Sequence, residues 1–213
     1  MGEPVKKKTE ARRQAIVDVA AEVFRELGFE RASMAEICRR VGFSSATLYN
    51  YFASKEVLFY EIMYEANEAE FQTVHELLDH AAEDIADALR RFGERLLTLI
   101  YSPDIMAVRR LMTASFGHGE FSRNCFERGP KRSTNELSAF LLEAMKKGKL
   151  RQCDPVVATL HLRGLLESEL LDTFIFQIEG DISPERIKGI VGRAVAVFMA
   201  AYGPSSPPPD ASA

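Results

Sequence analysis

Three observations predict an all-α protein. Glycine and proline are sparse between residues 9 and 202, apolar residues recur at the helical period over nearly the whole chain, and neither an alternating strand pattern nor a hairpin dipeptide occurs. About nine helices are expected. The first runs from Thr9, a candidate N-cap, through Ile16, Val19, Ala20, Val23 and Phe24 to Gly28 as its stop. Ser33-Met34-Ala35-Glu36 reads as a capping box, in which each side chain satisfies the other residue's free N–H and opens a short helix ending at Gly42. Ser44 caps a third helix through Leu48, Tyr49 and Phe52, and Ser54 a fourth reaching about His80. Longer helices are expected at 82–101, 104–116, 120–147, 155–178 and 184–202, the last with Ser183 as cap, Pro184 at its first position and Gly203 past its end. The tail 204–213, GPSSPPPDASA with its preceding glycine, has the composition of a disordered segment.

The chain has 213 residues, 46% of them hydrophobic, enough for a core without staples. Three cysteines without a CxxC pair fit reduced thiols, and no apolar run is long enough to span a bilayer. No apolar signal core follows MGEPVKKKTEARRQ, so a soluble cytoplasmic protein with no membrane partner is expected. The net charge of −4 argues at first against nucleic acid, but it is an average: residues 1–56 carry +2 and the remainder −6. Lys6, Lys7, Lys8, Arg12 and Arg13 form a basic arm, and Arg39 and Arg40 sit side by side. Such an end either meets a polyanion or is a solubilising tail.

Residues 33–52 read as a helix-turn-helix: a short capped helix, a reversal at Gly42, and a second short helix pinned by Val41, Phe43 and Leu48. Cys38 is then either a small thiol at the helix contact or a redox or metal-binding group. The exposed face of the second helix carries Ser45, Ala46, Thr47, Tyr49 and Asn50, which suit a DNA groove. Asn pairs with adenine, hydroxyls bond phosphates or base edges, and a methyl meets thymine's methyl. Lys55 adds a phosphate contact, as do the free N–H groups at Ser33 and Ser54.

The string GFSSATLYNYFASKEVLFYEIM resembles the signature of the tetracycline-repressor-like (TetR) family, roughly G-[VF]-S-x-x-[TS]-[LIF]-Y-x-[YH]-F-x-[SN]-K-E-x-L, and ARRQAIVDVAAEVFRELGFERASMAEICRRV is similar to that family's first two helices. The resemblance implies a three-helix DNA-binding domain at 1–56 and a helical ligand-binding and dimerisation domain at 57–203. Its DNA-facing set is Ser33, Ser44, Ser45, Ala46, Thr47, Tyr49, Asn50, Tyr51 and Lys55. Ala35 departs from members that place a basic base-reading residue there. Phe126-Glu127-Arg128-Gly129-Pro130, Gly148-Lys149-Leu150 and Asp154-Pro155 resemble the AefR-like branch in the C-terminal half.

Residues 57–203 hold no nucleophile–base pair, phosphate loop or carboxylate dyad at motif spacing, so neither an enzyme nor a cofactor is expected. His75-Glu76-Leu77-Leu78-Asp79-His80 comes near a zinc motif, but two ligands are too few, and no metal is expected. The region instead carries an inventory suited to plain core or to a cavity for a small apolar or amphipathic effector, with candidate lining Phe92, Leu96, Met106, Arg109, Met112, Thr113, Phe116, Phe140 and His161. The last helix is apolar over so much of its circumference that it is either central or covered by a partner. A homodimer through the last two helices is expected, with Gly164, Ser168, Leu171, Ile190, Ala194 and Phe198 at its interface. The whole then reads as a ligand-responsive repressor on a pseudo-palindromic double-stranded operator.

Overall fold

Local cap chemistry defines most of the helices. The computed structural model describes residues 3–114, 119–176, 178 and 182–204, and within them every regular element is helical. Helix α1 spans Glu3–Arg31. Its start precedes the expected Thr9 because Pro4 is tolerated in a first turn and the lysines after it favour helix. Gly28 adopts φ 74°, ψ 165°, a conformation that favours glycine, and kinks the helix where a stop was expected. Next come α2 (Met34–Val41), α3 (Ser45–Tyr51) and α4 (Lys55–Glu76). Helix α5 (Ile85–Ile100) is opened by Asp84, whose carboxylate accepts from the Asp87 N–H at 3.0 Å, and α6 covers Pro103–Ala114.

Two expected helices are divided. In place of one helix over 120–147 there are α7 (Gly119–Phe126), a π-helical turn at Glu127–Lys131, and α8 (Arg132–Lys146). Pro130 is the cause, since it lacks an N–H and crowds the preceding turn. Its carbonyl accepts from Thr134 Oγ1 at 2.8 Å and from Arg163 at 3.3 Å. In place of 155–178 there are α9 (Pro155–Glu167), capped by Asp154, and the single turn α10 (Leu171–Ile175). At the break the Ser168 hydroxyl donates to the Leu165 carbonyl at 2.8 Å, competing with the helical ladder. Helix α11 (Pro184–Tyr202) has the expected cap, Ser183 accepting from the Arg186 N–H at 3.3 Å.

The chain forms two compact units, Met1–Glu68 with Asp104–Ser122, and Ala69–Pro103 with Arg123–Ala213. The packing division thus falls inside α4, after Glu68, because that helix runs without interruption past residue 56. In the first unit α1 buries Ile16, Val17, Ala20, Val23 and Phe24, a helical stripe that meets Ile37, Leu48, Phe52, Leu58 and Phe59 in one core. Phe24, Phe29 and Phe59 form a ring cluster with centroids 5.0–6.0 Å apart.

In the second unit α11 packs on α5 and α9, and α8 packs on α9. Gly93 allows the closest approach: a Cβ there would lie 2.9 Å from both Leu166 Cδ2 and Val191 Cγ1. Ile190, Ala194 and Phe198, expected at a partner interface, face this core instead, with Phe198 fully buried. The reason is that α11 is wrapped by its own chain along the stripe Ile187, Ile190, Val191, Ala194, Val195, Phe198 and Tyr202.

His75 is buried in the second unit, where its Nδ1–H donates to the Phe71 carbonyl at 2.8 Å and its Nε2 accepts from the Ser133 hydroxyl at 2.9 Å. The carbonyl can only accept, which assigns this neutral tautomer. Phe71 and Phe92 flank the ring, Glu136 lies 3.8 Å from Nδ1, and Arg132 covers Phe71. Burial, opposed by the Phe71 bond and by Glu136, pushes the imidazole below its ordinary 6.5. The unfolded chain therefore takes up this proton first as pH falls, so the stabilisation is complete above 6.5 and is lost as pH drops through the lower folded value. The melting temperature is expected to fall by up to roughly 3–5 °C per pH unit in that window. His75→Gln should show a flatter pH dependence by scanning calorimetry, and a slope equal to wild type would remove His75 as its source.

Candidate nucleic-acid interface

Ser33, extended at φ −135°, accepts from the Glu36 N–H at 3.1 Å and so caps α2. The other half of the expected capping box is not made. The Glu36 carboxylate turns to Arg39 at 2.7 and 2.9 Å and to Arg40 at 2.7 Å, and Arg40 also reaches Glu26 at 2.6 Å. These bonds, that to Arg39 first, hold the Glu36 carboxyl down to about 2. The adjacent arginines thus come with their own counter-charges.

The reversal between α2 and α3 depends on Gly42, at φ 76°, ψ 18°, whose N–H bonds the Cys38 carbonyl at 3.1 Å. The Cys38 thiol donates to the Phe43 carbonyl at 2.8 Å and lies 3.7 Å from Ser45 Oγ. Of the two readings open in the sequence, this geometry matches the small thiol at the helix contact.

Ser44 caps α3 by accepting from the Thr47 N–H at 3.1 Å, and the two hydroxyls lie 2.8 Å apart. Leu48 is fully buried beneath the helix, and Phe52 closes it from the core side. The outer face is left with Ser45, Ala46, Tyr49 and Asn50 exposed, while Thr47 and Tyr51 are half-buried. Tyr49 is 53% exposed, a large aromatic ring on a helix whose apolar anchoring is already supplied by Leu48. Lys55 is drawn inward: its ammonium donates to the Phe29 carbonyl at 2.8 Å and sits 4.2 Å from that ring's centroid. One carbonyl bond uses one of its three donors.

The basic arm divides. Arg12 is exposed, the side chains of Lys6, Lys7 and Lys8 lie outside the described residues, and Arg13 turns to Glu61 and Glu65 on α4. Sequence reasoning missed these partners. Their trace was two glutamates one turn apart on a helix, a spacing that presents both to one cation.

The expected effector-lining residues fall in different places. Phe92, Leu96 and Phe140 belong to the core of the second unit, while Met106, Arg109, Met112 and Thr113 are on α6 within the first. Phe116 lies outside the described residues. His161 lies elsewhere again, in a groove of about 420 Å³ on α9 and α11 shared with Leu160, Gly164, Val197 and Ala201, where its Nδ1 bonds the Tyr202 hydroxyl. Gly164, Ser168 and Leu171 are exposed. Val156, Val157, Leu160 and Val197 are exposed apolar residues of the same two helices.

Residues 87–204 match the description "AefR-like transcriptional repressor, C-terminal domain", and residues 16–62 match "Bacterial regulatory proteins, tetR family". The A-factor receptor protein of Streptomyces griseus is 40% identical over 93 residues, 39% of this chain and 33% of that one. The matched stretch therefore spans a third of that relative's length. A TetR-family regulator from Mesorhizobium loti superposes with a TM-score of 0.77 at 23% identity, over 92% of this chain and 98% of that one, a likeness that concerns the fold. The flavonoid-responsive regulator FrrA superposes with a TM-score of 0.70 at 27% identity, over 92% of this chain and all of that one. With both halves matched and a helix-turn-helix at the expected place, the chain belongs to the TetR family of transcriptional regulators and is not an enzyme.

Proposed function

We propose that the protein is a dimeric, ligand-responsive regulator, acting as a repressor, whose two α3 helices enter successive major grooves of a pseudo-palindromic operator roughly 34–36 Å apart. The observation that carries this reading is the outer face of α3: four exposed residues of groove-reading type on a helix capped by Ser44 and anchored by Leu48. Residues 1–56 form the reading head, with Ser33, Ser44, Thr47, Tyr51 and the remaining donors of Lys55 directed to the DNA backbone. Residues 57–203 receive the effector and the second subunit. Because its partner is DNA, the protein works in the cytoplasm.

An amphipathic effector is supported by the likeness to a flavonoid-responsive regulator. Phe92, Leu96 and Phe140 are the candidate apolar contacts in the second unit, and the His75–Ser133 pair lies beside Phe92, with the His75 and Phe92 ring centroids 5.6 Å apart. The second subunit covers the α9/α11 groove, with Leu160, Gly164 and Val197 at its centre, and His161 belongs to this face. Release follows from linkage: an effector that frees DNA binds better to the conformation with wrongly spaced heads, and DNA weakens effector binding by the same factor.

Selection of bound fragments from random duplex DNA, repeated at two salt concentrations, tests the function. A two-fold-symmetric consensus with affinity falling steeply in salt is expected. Binding without a consensus would point to a DNA-organising protein, and no binding would refute the reading. Glu36→Gln removes a counter-charge from Arg39 and Arg40, so operator affinity is expected to rise and the slope of log affinity against log salt to steepen by about 1. An unchanged slope would place both arginines away from phosphate.

A further inference from the structure

Arg13 does not belong to a DNA-facing arm. Its Nη2 lies 2.8 Å from Glu61 Oε2 and its Nη1 2.8 Å from Glu65 Oε1, with Glu10 Oε1 at 3.9 Å, and its guanidinium carbon is 5.5 Å from the centroid of the Phe52 ring. One side chain thus joins α1, the residue that closes α3, and two successive turns of α4. We propose that Arg13, with Glu61 and Glu65, is the positioning joint that locks the reading head to the first turns of α4 and so sets the operator spacing the dimer accepts. The inference rests on the dimeric DNA-binding reading above.

The physical case is mechanical. Helix α4 is the direct continuation of the head, running unbroken from Lys55 to Glu76. Near its start, Phe59 packs among Phe24 and Phe29, and Lys55 holds the Phe29 carbonyl. An apolar ring cluster resists separation but tolerates rolling, because dispersion contacts have little directionality. A guanidinium forked across two carboxylates one turn apart resists rolling, since each N–H···O bond fixes a direction. The side chains are only 26%, 16% and 34% exposed, so this network is better shielded from solvent than an ordinary surface pair. With the fork closed, a displacement of α4 carries α3 with it. With the fork open, the head can pivot on the ring cluster.

The test uses the full-length dimer and the operator obtained by selection, together with versions carrying one or two base pairs inserted between half-sites and an isolated half-site. For Arg13→Ala, preference for the selected spacing is expected to fall roughly tenfold, within the range by which networked groups couple, while half-site affinity and its salt slope stay unchanged. Glu61→Gln with Glu65→Gln keeps the volume and should reproduce that loss, and Arg13→Ala added to it should change nothing further. Equal weakening at all spacings would mean a merely structural role. A lower half-site salt slope in Arg13→Ala would mean a phosphate contact, and additive effects would mean no shared joint; each overturns the proposal. Hydrogen exchange of the free protein separates the joint from the DNA-binding reading. Arg13→Ala should speed exchange of the α4 amides around Glu61–Asn67 but not those of α2, and unchanged exchange would overturn the joint even where operator binding is sound.

Discussion

Leu160→Glu is expected to yield folded monomers, whereas Phe198→Glu yields a chain that does not fold. Both residues are apolar and lie on the last two long helices, but they face opposite ways. Phe198 is fully buried and stacks on Tyr202 with centroids 4.7 Å apart. Removing the ring costs about 3–5 kcal/mol, and an unpaired carboxylate in its place adds several more. Together these approach or exceed the roughly 5–15 kcal/mol by which domains are stable. Leu160 is 53% exposed and lines the α9/α11 groove, so glutamate there stays in water in the single chain and costs little in helix propensity. Against a second copy the same carboxylate would be buried without a partner. Light scattering should report the monomer mass for Leu160→Glu with an unchanged circular dichroism spectrum, and operator affinity should drop roughly 10²–10⁴-fold as bivalency is lost. A Leu160→Glu dimer of wild-type affinity would move the interface elsewhere, and a folded Phe198→Glu would contradict the packing of α11.

That contrast shows why the helix was legible in the sequence and its orientation was not. The apolar stripe Ile187, Ile190, Val191, Ala194 and Phe198 announces burial, but Val197 on the neighbouring face is equally apolar, and spacing alone does not say which half meets the chain's own α5. Caps were readable at Ser33, Ser44 and Ser183 because a side chain and an N–H three residues ahead decide them locally. Glu36 was half readable: its backbone N–H behaves as a capping box requires, while its carboxylate is taken by arginines one turn on. Arg13 was misread for a related reason. A cation in a basic run looks the same whether it faces a polyanion or carboxylates 48 and 52 residues away.

Tyr49→Ala is expected to lower operator affinity by roughly 5- to 150-fold while leaving the melting temperature and dimer mass as they are, the loss matching about 1–3 kcal/mol for one specific contact. The ring stands 53% exposed on α3, and Leu48 and Phe52 hold that helix to the core without it, so truncation removes surface and no packing. Lys55→Ala provides the control with the opposite signature. It removes the bond to the Phe29 carbonyl and the cation–ring contact together, so both stability and DNA affinity should fall. Salt dependence separates the two mechanisms. A phosphate contact by Lys55 makes the slope of log affinity against log salt shallower by about 1 in Lys55→Ala, whereas Tyr49→Ala, which removes no charge, keeps the wild-type slope. Wild-type affinity in Tyr49→Ala would take the outer face of α3 off the DNA, and an unchanged slope in Lys55→Ala would leave that lysine with its role inside the head alone.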